Sequence, residues 1–222
     1  MKQEQLTIDG KLVEVASFLG HFDEGLAAFA AEQYNLVTAK QLAWLYTSAT
    51  HSHIVYDGGW SWVVEGAICF SDKEYVVVGS RSENPILQDP AKATQLSLDK
   101  EKIYLDGRME SHVRSLRDEA ISKGVGAVLP ITPPNRILTT EFGNHPLTRY
   151  LFEEQAEPYG QFLYNLIADA VGVERALPSE TMDIAHPFIC QMWISTPRRG
   201  AVVHLSGSYL SNINGQMLGI RP

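Results

Sequence analysis

Side chains that can take part in catalysis or metal binding are concentrated in one short stretch, HSHIVYDGGWSWVVEG, which runs from His51 to Gly66. His51 and His53 are separated by one residue, so in a strand both imidazoles would point to the same face. Two neutral imidazole nitrogens on one face can share a metal ion. A catalytic zinc or iron site needs a third protein ligand. We therefore treat His51 and His53 as a candidate metal pair, with Asp57, Glu65, His186 and His204 as alternative third ligands.

General acid–base catalysis is the second chemistry that these residue types can support. Glu65 and His204 supply a carboxyl group and an imidazole, which can transfer protons when a fold brings them within hydrogen-bonding distance of a substrate. The chain contains no Gly-x-Ser-x-Gly elbow and neither of the common Gly-rich nucleotide fingerprints. One hypothesis is a small enzyme, with or without a bound metal, that uses His51, His53, Glu65 and His204 as its catalytic residues. The sequence does not identify a cofactor.

The hypothesis that we prefer is a non-enzymatic binding or assembly protein that uses an aromatic surface or a sheet edge. Trp60 and Trp62 follow a Gly-Gly turn, where at least one indole is expected near the rim of a sheet. Exposed aromatic clusters usually mark binding surfaces. Arg198 and Arg199 lie in a loop and can clamp an anionic group. These four side chains are the candidate ligand-binding or partner-binding residues.

Composition limits the classes of partner. The chain has 222 residues and a formal net charge of −8, which disfavours binding to a phosphate backbone. A protein partner or self-association is therefore expected rather than nucleic acid, and a small-molecule ligand is compatible with the same sequence. Its apolar runs are shorter than the roughly 18 residues of a membrane-spanning helix. Because Cys69 and Cys190 lie in apolar runs and the N-terminus lacks an apolar leader, we expect a soluble, cytoplasmic protein with reduced thiols.

The candidate residues must be positioned by the elements around them. Alternating residues on both sides of Asp9-Gly10 predict an N-terminal hairpin with a type I′ turn. Apolar residues at helical spacing predict one helix after Asp23, and Thr38 with Gln41 forms a capping-box pattern at the start of a second helix. The short connection between these helices favours a helical hairpin.

The opening stretch itself is predicted to be strand and turn. HIVY, WSWVVEGAICF and YVVVG are rich in strand-forming residues and are separated by turn residues, which predicts a three-stranded antiparallel meander. Side chains alternate along a strand. The central strand should therefore place Trp60, Trp62 and Val64 on one side and Ser61, Val63 and Glu65 on the other.

Further helices and strands are predicted in the rest of the chain. Ser111 is expected to cap a helix that ends at Gly124, and an apolar stripe predicts helices between Pro146 and Gly172. FICQMWIS, AVVHLS and QMLGI predict three C-terminal strands.

Together these elements predict a single α+β domain over residues 1–222. Its sheet is mixed or antiparallel and consists of the N-terminal hairpin, the central meander and the C-terminal strands. Helices between Asp23 and Ala49 and between Pro146 and Val171 are expected to cover one face of that sheet.

Overall fold

The structure is a computed structural model that describes residues 1–49, 51–70, 74–124, 128–130, 135–167, 170–173, 186–195, 204–207, 210 and 215–221. Within these ranges, strands from all parts of the chain join in one mixed sheet. Its strands are β1 (Lys2–Ile8), β2 (Lys11–Leu19), β3 (Asn35–Leu36), β4 (Trp60–Cys69), β5 (Glu74–Val78), β6 (Ile103–Tyr104), β7 (Val128–Pro130), β8 (Asn135–Leu138), β9 (Ala170–Val173), β10 (Phe188–Ser195), β11 (His204–Gly207) and β12 (Gln216–Ile220). The helices are α1 (Phe22–Ala31), α2 (Ala39–Ser48), α3 (Pro85–Gln88), α4 (Pro90–Leu98), α5 (Gly107–Lys123), α6 (Pro146–Phe152) and α7 (Ala156–Ile167).

The sheet brings the two ends of the chain together. Its main strand order is β1, β2, β12, β4, β10, β11, β9 and β8. The last strand, β12, pairs antiparallel with β2 and parallel with β4, so it lies between the N-terminal hairpin and the centre of the sheet. Short strands extend this order, with β3 on β12, β5 on β4, β6 on β10 and β7 on β5. The predicted α+β class is confirmed.

The N-terminal hairpin follows directly from its turn residues. Asp9 and Gly10 have φ angles of +52° and +74°, as a type I′ turn requires, and Ile8 pairs with Lys11 across it. The predicted hairpin is therefore confirmed.

Strand β4 separates two hydrophobic cores. Val63 belongs to the first core, whereas Trp62 belongs to the second and Trp60 and Val64 pack against that second core. The predicted alternation of these side chains is thus confirmed. The helices also pack in two groups, one on each face of β4. The first core receives side chains from α2, α6 and α7, and the second receives them from α1, α3, α4 and α5. Helices therefore cover both faces of β4, whereas we expected one covered face.

The connection between α1 and α2 differs from the predicted helical hairpin. Asn35 and Leu36 form β3, which pairs with Gly219 and Ile220 of β12. Val37 then donates a backbone hydrogen bond to Leu218 at 3.0 Å. The hairpin prediction was wrong because these backbone groups pair with a distant strand, which carries the chain from one core to the other.

Several helix ends agree with the local sequence signals. Thr38 and Gln41 form the predicted capping box of α2. Gly124 ends α5, as predicted, with a φ of +64°. The predicted start was wrong, because the cap is Asp106 rather than Ser111, and the Asp106 carboxylate accepts a hydrogen bond from Met109 N–H. His145 caps α6.

Two predicted elements have a different conformation. HIVY is a series of turns rather than a strand, since Ser52 Oγ accepts a hydrogen bond from Val55 N–H at 3.3 Å and folds the segment locally. The predicted meander therefore lacks its first strand. Its second pairing is confirmed, because β4 pairs antiparallel with β5, and β10 and β12 are the further partners of β4. The C-terminal end of the predicted helix is also wrong, because α7 ends at Ile167 and residues 170–173 form β9 between β8 and β11.

A bulge at the centre of the sheet is completed by side-chain amides. Gly66 pairs with Gln191 and Trp62 pairs with Trp193, so three residues of β4 face only Met192 of β10. Gln191 Nε2 donates to the carbonyl oxygens of Val63 and Glu65, the second at 3.1 Å. Asn84 Nδ2 donates to Val64 O and to Gln191 Oε1, both at 3.0 Å. Side chains therefore satisfy the carbonyls that the bulge leaves without strand partners.

We predict that Gln191→Leu destabilises the protein by about 3 kcal/mol, because buried carbonyls that lose their donors each cost about 1–3 kcal/mol. Urea unfolding followed by circular dichroism measures this loss. Gln161→Leu, at an exposed position on α7, is the matched control and should change the free energy of unfolding by less than about 0.5 kcal/mol. Equal stabilities of the two variants would contradict the role of the Gln191 amide.

Candidate functional site

Three tryptophans meet at one end of the central strands, and we call Trp60, Trp62 and Trp193 the tryptophan cluster. Trp60 begins β4, and Trp193 of β10 lies directly across from Trp62. The ring centroid of Trp60 lies 4.6 Å from that of Trp62 and 5.2 Å from that of Trp193. Trp62 is fully buried, whereas Trp60 and Trp193 are half-buried. The cluster thus has a fixed base and two partly accessible rings.

A glycine lets the backbone of the C-terminal segment approach these rings closely. A Cβ atom on Gly215 would lie 2.4 Å from Cη2 of Trp62 and 2.5 Å from Cη2 of Trp60, which is closer than atoms can pack. Gly215 directly precedes β12, and Ser195 at the end of β10 pairs with Trp60. The chain between residues 195 and 215 therefore begins and ends beside the tryptophan cluster.

The base of the cluster is enclosed by the start of α1. The Phe22 ring packs edge-on against Trp62 with centroids 5.3 Å apart, and Phe22 N–H donates to Leu210 O at 3.2 Å. The Trp62 indole N–H is buried and has no hydrogen-bond acceptor among the residues that the structure describes. Trp62 therefore acts mainly through packing and supports the two accessible rings.

The loop before β4 is held in place by another buried amide. Gln216 Oε1 accepts from Gly58 N–H at 2.9 Å, and Gln216 Nε2 donates to Ile54 O. Lys2 pairs with Asp57 at 2.5 Å at the surface. These contacts fix the loop that leads into Trp60, and they explain why Asp57 and the glycines belong to a turn.

The predicted catalytic residues occupy contrasting environments. His51 and His53 are exposed on the loop, whereas Glu65 is 7% exposed in the interior. His204 begins β11 opposite Gly172. Among the residues with described positions, no group of three or more His, Cys, Asp or Glu side chains is arranged to hold a metal ion. The catalytic and metal-binding roles stay predictions.

Glu65 makes a structural contact that the sequence did not indicate. Its carboxylate accepts a hydrogen bond from Ala39 N–H, at the first residue of α2, at 2.8 Å. Burial raises the pKa of Glu65 to about 7, opposed by the Ala39 N–H and reinforced by the charge of Glu153. Lys40 pairs with Glu153 and Glu154 nearby, at 2.7 and 2.8 Å. Glu65 therefore helps to hold the start of α2 against the sheet.

The predicted binding residues are only partly brought together. Trp60 and Trp62 are in contact, while Arg198 and Arg199 lie outside the described residues. Trp193 also contacts Trp60, although it was not among the four predicted binding residues. An indole in the apolar run FICQMWIS was the available signal, but only the strand register aligns it with Trp62. Trp44 lies apart from the cluster, packs against the first core and donates to Asp9 Oδ2 at 3.1 Å.

Comparison with known proteins shows the fold but not a family. No family model matches the chain, and no curated protein matches it. A solved structure described as "Accommodation of massive sequence variation in Nanoarchaeota by the C-type lectin fold" is similar, with a TM-score of 0.60 and 14% sequence identity. The match covers 96% of this chain and 100% of that one, so this chain has a C-type lectin-like fold. In the described part of the chain, no helix is long and apolar enough to cross a membrane.

We predict that Glu65→Gln removes a pH dependence of stability. Because the pKa of Glu65 is raised from 4.5 to about 7, the folded state binds its proton more tightly than the unfolded state. Protonation of Glu65 therefore stabilises the folded state. This stabilisation is fully present below pH 4.5 and is lost as the pH rises through 7, which lowers the free energy of unfolding by up to about 3 kcal/mol. The variant should therefore be less sensitive to pH and more stable than the wild type at pH 8.

Urea unfolding at pH 5 and pH 8 measures this difference. The amide oxygen of the substituted side chain can still accept from Ala39 N–H, so the helix contact is retained in the variant. Glu32→Gln, at an exposed position, should keep the wild-type pH dependence. A wild-type pH dependence in Glu65→Gln would show that the raised pKa does not affect folding.

We also predict that Gly215→Ala disturbs the tryptophan cluster and destabilises the protein by about 2 kcal/mol, because the added methyl group overlaps two indole rings. Near-ultraviolet circular dichroism reports the change in ring packing, and urea unfolding reports the stability. Gly79→Ala is the matched control, since its Cβ would meet no atom within 4 Å. If both variants kept the wild-type tryptophan spectrum, the close approach at Gly215 would be refuted.

Proposed function

We propose that this chain is a non-enzymatic binding protein that uses the tryptophan cluster to contact a protein partner. The supporting observation is the pair of half-buried rings, Trp60 and Trp193, held at the ends of two central strands over a fully buried Trp62. Partly exposed tryptophans on a rigid base provide a large contact area with little loss of side-chain entropy, which favours their use as anchors of an interface.

Chain connectivity supports a role for the two arginines in the same surface. Arg198 and Arg199 are the third and fourth residues after Ser195. Ser195 pairs with Trp60, so both arginines follow the tryptophan cluster closely in the sequence. We propose that they bind carboxylate groups of the partner while its apolar side chains contact the indoles. The net charge of −8 favours a protein partner over nucleic acid, whose phosphate backbone it would repel.

The fold is compatible with such a role. The similar solved structure is described as accommodating massive sequence variation in the C-type lectin fold. A scaffold with that tolerance can keep its sheet while surface residues change to suit a partner. In this chain buried amides and two cores stabilise the sheet, and Trp60 and Trp193 pack on the second core while staying partly accessible.

We predict that peptides selected from a display library on the wild-type protein bind Trp60→Ala/Trp193→Ala at least about tenfold more weakly, because loss of a tryptophan anchor commonly costs about 2 kcal/mol or more. Isothermal titration calorimetry with the synthetic peptides measures the affinities. Trp44→Ala is the matched control, since Trp44 lies outside the tryptophan cluster, and it should bind with wild-type affinity. Trp193→Phe should retain most of the binding.

If the selected peptides bound the folded double variant as tightly as the wild type, the tryptophan cluster would not be the binding surface. Sedimentation of the wild type and the double variant tests self-association through the same surface, which predicts an oligomer that dissociates on substitution. Urea unfolding of each variant confirms that it is folded.

A metal-assisted enzyme that uses His51, His53, Glu65 and His204 is the alternative from the sequence. Metal content, measured on protein purified without chelator or affinity tag, separates the two proposals. The binding proposal predicts substoichiometric metal. A stoichiometric metal that is lost in His51→Ala/His53→Ala would instead favour the enzyme.

A further inference from the structure

A cavity of about 240 Å³ lies between β5, α5 and α6. Val76, Val77 and Val78 of β5 line it. On α5, Leu116 and Ala120 contribute to the same wall, as residues four apart on one helix face should. None of these residues belongs to the tryptophan cluster, so the cavity is a separate site.

Some charged side chains that line this cavity form an ion pair, whereas Glu83 forms none with a described residue. Glu119 and Lys123 form an ion pair one helical turn apart, and both side chains are more than half exposed. Glu83 also lines the cavity, and its carboxylate accepts from Ser80 Oγ at 2.7 Å and from Ser80 N–H at 3.3 Å. Within the described ranges no cation pairs with Glu83. Among the described residues, the Glu83 carboxylate therefore has only neutral donors.

Tyr150 of α6 completes the polar side of the cavity. Its hydroxyl group donates to Val77 O at 3.3 Å. Burial, and then the charges of Glu83 and Glu65, raise the pKa of Tyr150, so its phenol stays neutral. The cavity thus combines an apolar wall, a neutral hydroxyl group and the Glu83 carboxylate, which pairs with no cation in the part of the chain that the structure describes.

We propose that this cavity binds a small organic ammonium ion with a compact apolar body. The ammonium group pairs with Glu83, and the apolar body lies against Val76, Val78 and Leu116. An anion of the same shape is disfavoured, because Glu83 and Glu119 face the cavity and Lys123, the cation among its described lining residues, is already paired with Glu119. This site is independent of the proposed protein-binding surface.

Three compounds with the same phenylethyl body test the charge preference: 2-phenylethylammonium, 2-phenylethanol and 3-phenylpropanoate. Each is titrated to about 10 mM at about pH 7, and amide chemical shifts of residues 76–78 and Tyr150 are followed by NMR. We expect the ammonium compound to bind with a Kd of about 1 mM, which is typical of a small fragment, and the other two to bind more weakly.

Two variants locate the site. Glu83→Gln should weaken ammonium binding about fivefold, since a partly exposed ion pair contributes up to about 1 kcal/mol, while the amide can still accept from Ser80. Ala120→Phe should abolish binding of all three compounds by filling the cavity. Glu101→Gln, at an exposed position elsewhere, should bind as the wild type does.

Three results would overturn the proposal: no shifts at residues 76–78, equal binding of the propanoate, or ammonium binding that Glu83→Gln leaves unchanged. Thermal unfolding confirms that each variant is folded. Failure here would leave the tryptophan-cluster proposal untouched, because that proposal depends on other residues.

Discussion

The amide of Gln191 is the contact on which the centre of the sheet depends. Because β4 has three residues opposite a single residue of β10, its carbonyls cannot all be satisfied by the neighbouring strand. Gln191 and Asn84 supply the missing donors from their side chains. Buried carbonyls without donors are costly, so these two amides make the irregular register tolerable. That register in turn places Trp193 opposite Trp62.

The two sides of β4 have different roles as a result. On one side, Glu65 holds the start of α2, and the helices α2, α6 and α7 enclose a first core. On the other side, Trp62 is enclosed by Phe22 and supports the accessible rings of Trp60 and Trp193. A carboxyl group that the sequence made a catalytic candidate thus holds a helix in place, while the neighbouring strand positions form the base of the proposed binding surface.

The pairing of β12 links this surface to the rest of the molecule. The strand lies between β2 and β4, and its first residue, Gln216, also fixes the loop before Trp60 through Gly58 and Ile54. Gly215 allows the same segment to pass against the indoles without a steric clash. Strand pairings and side-chain hydrogen bonds therefore surround the end of β10 and the start of β12.

Local signals in the sequence determined the elements that depend on neighbouring residues. Asp9-Gly10 specified a turn, Thr38 and Gln41 specified the start of α2, and the alternation from Trp60 to Glu65 specified two faces of β4. Each is encoded within a few residues, because turn geometry, helix capping and strand alternation are short-range effects. The α+β class followed from the same signals.

Only the tertiary structure decided which strands became neighbours. Gln191 is 126 residues from Glu65, and Gln216 is 162 residues from Ile54, so no local pattern could indicate these hydrogen bonds. The same reason explains why Asn35 and Leu36 form a strand, why HIVY does not, and why Trp193 joins Trp62. Periodicity reports which face of an element is apolar, but the partner of that face is selected by the whole chain as it buries its backbone groups and side chains.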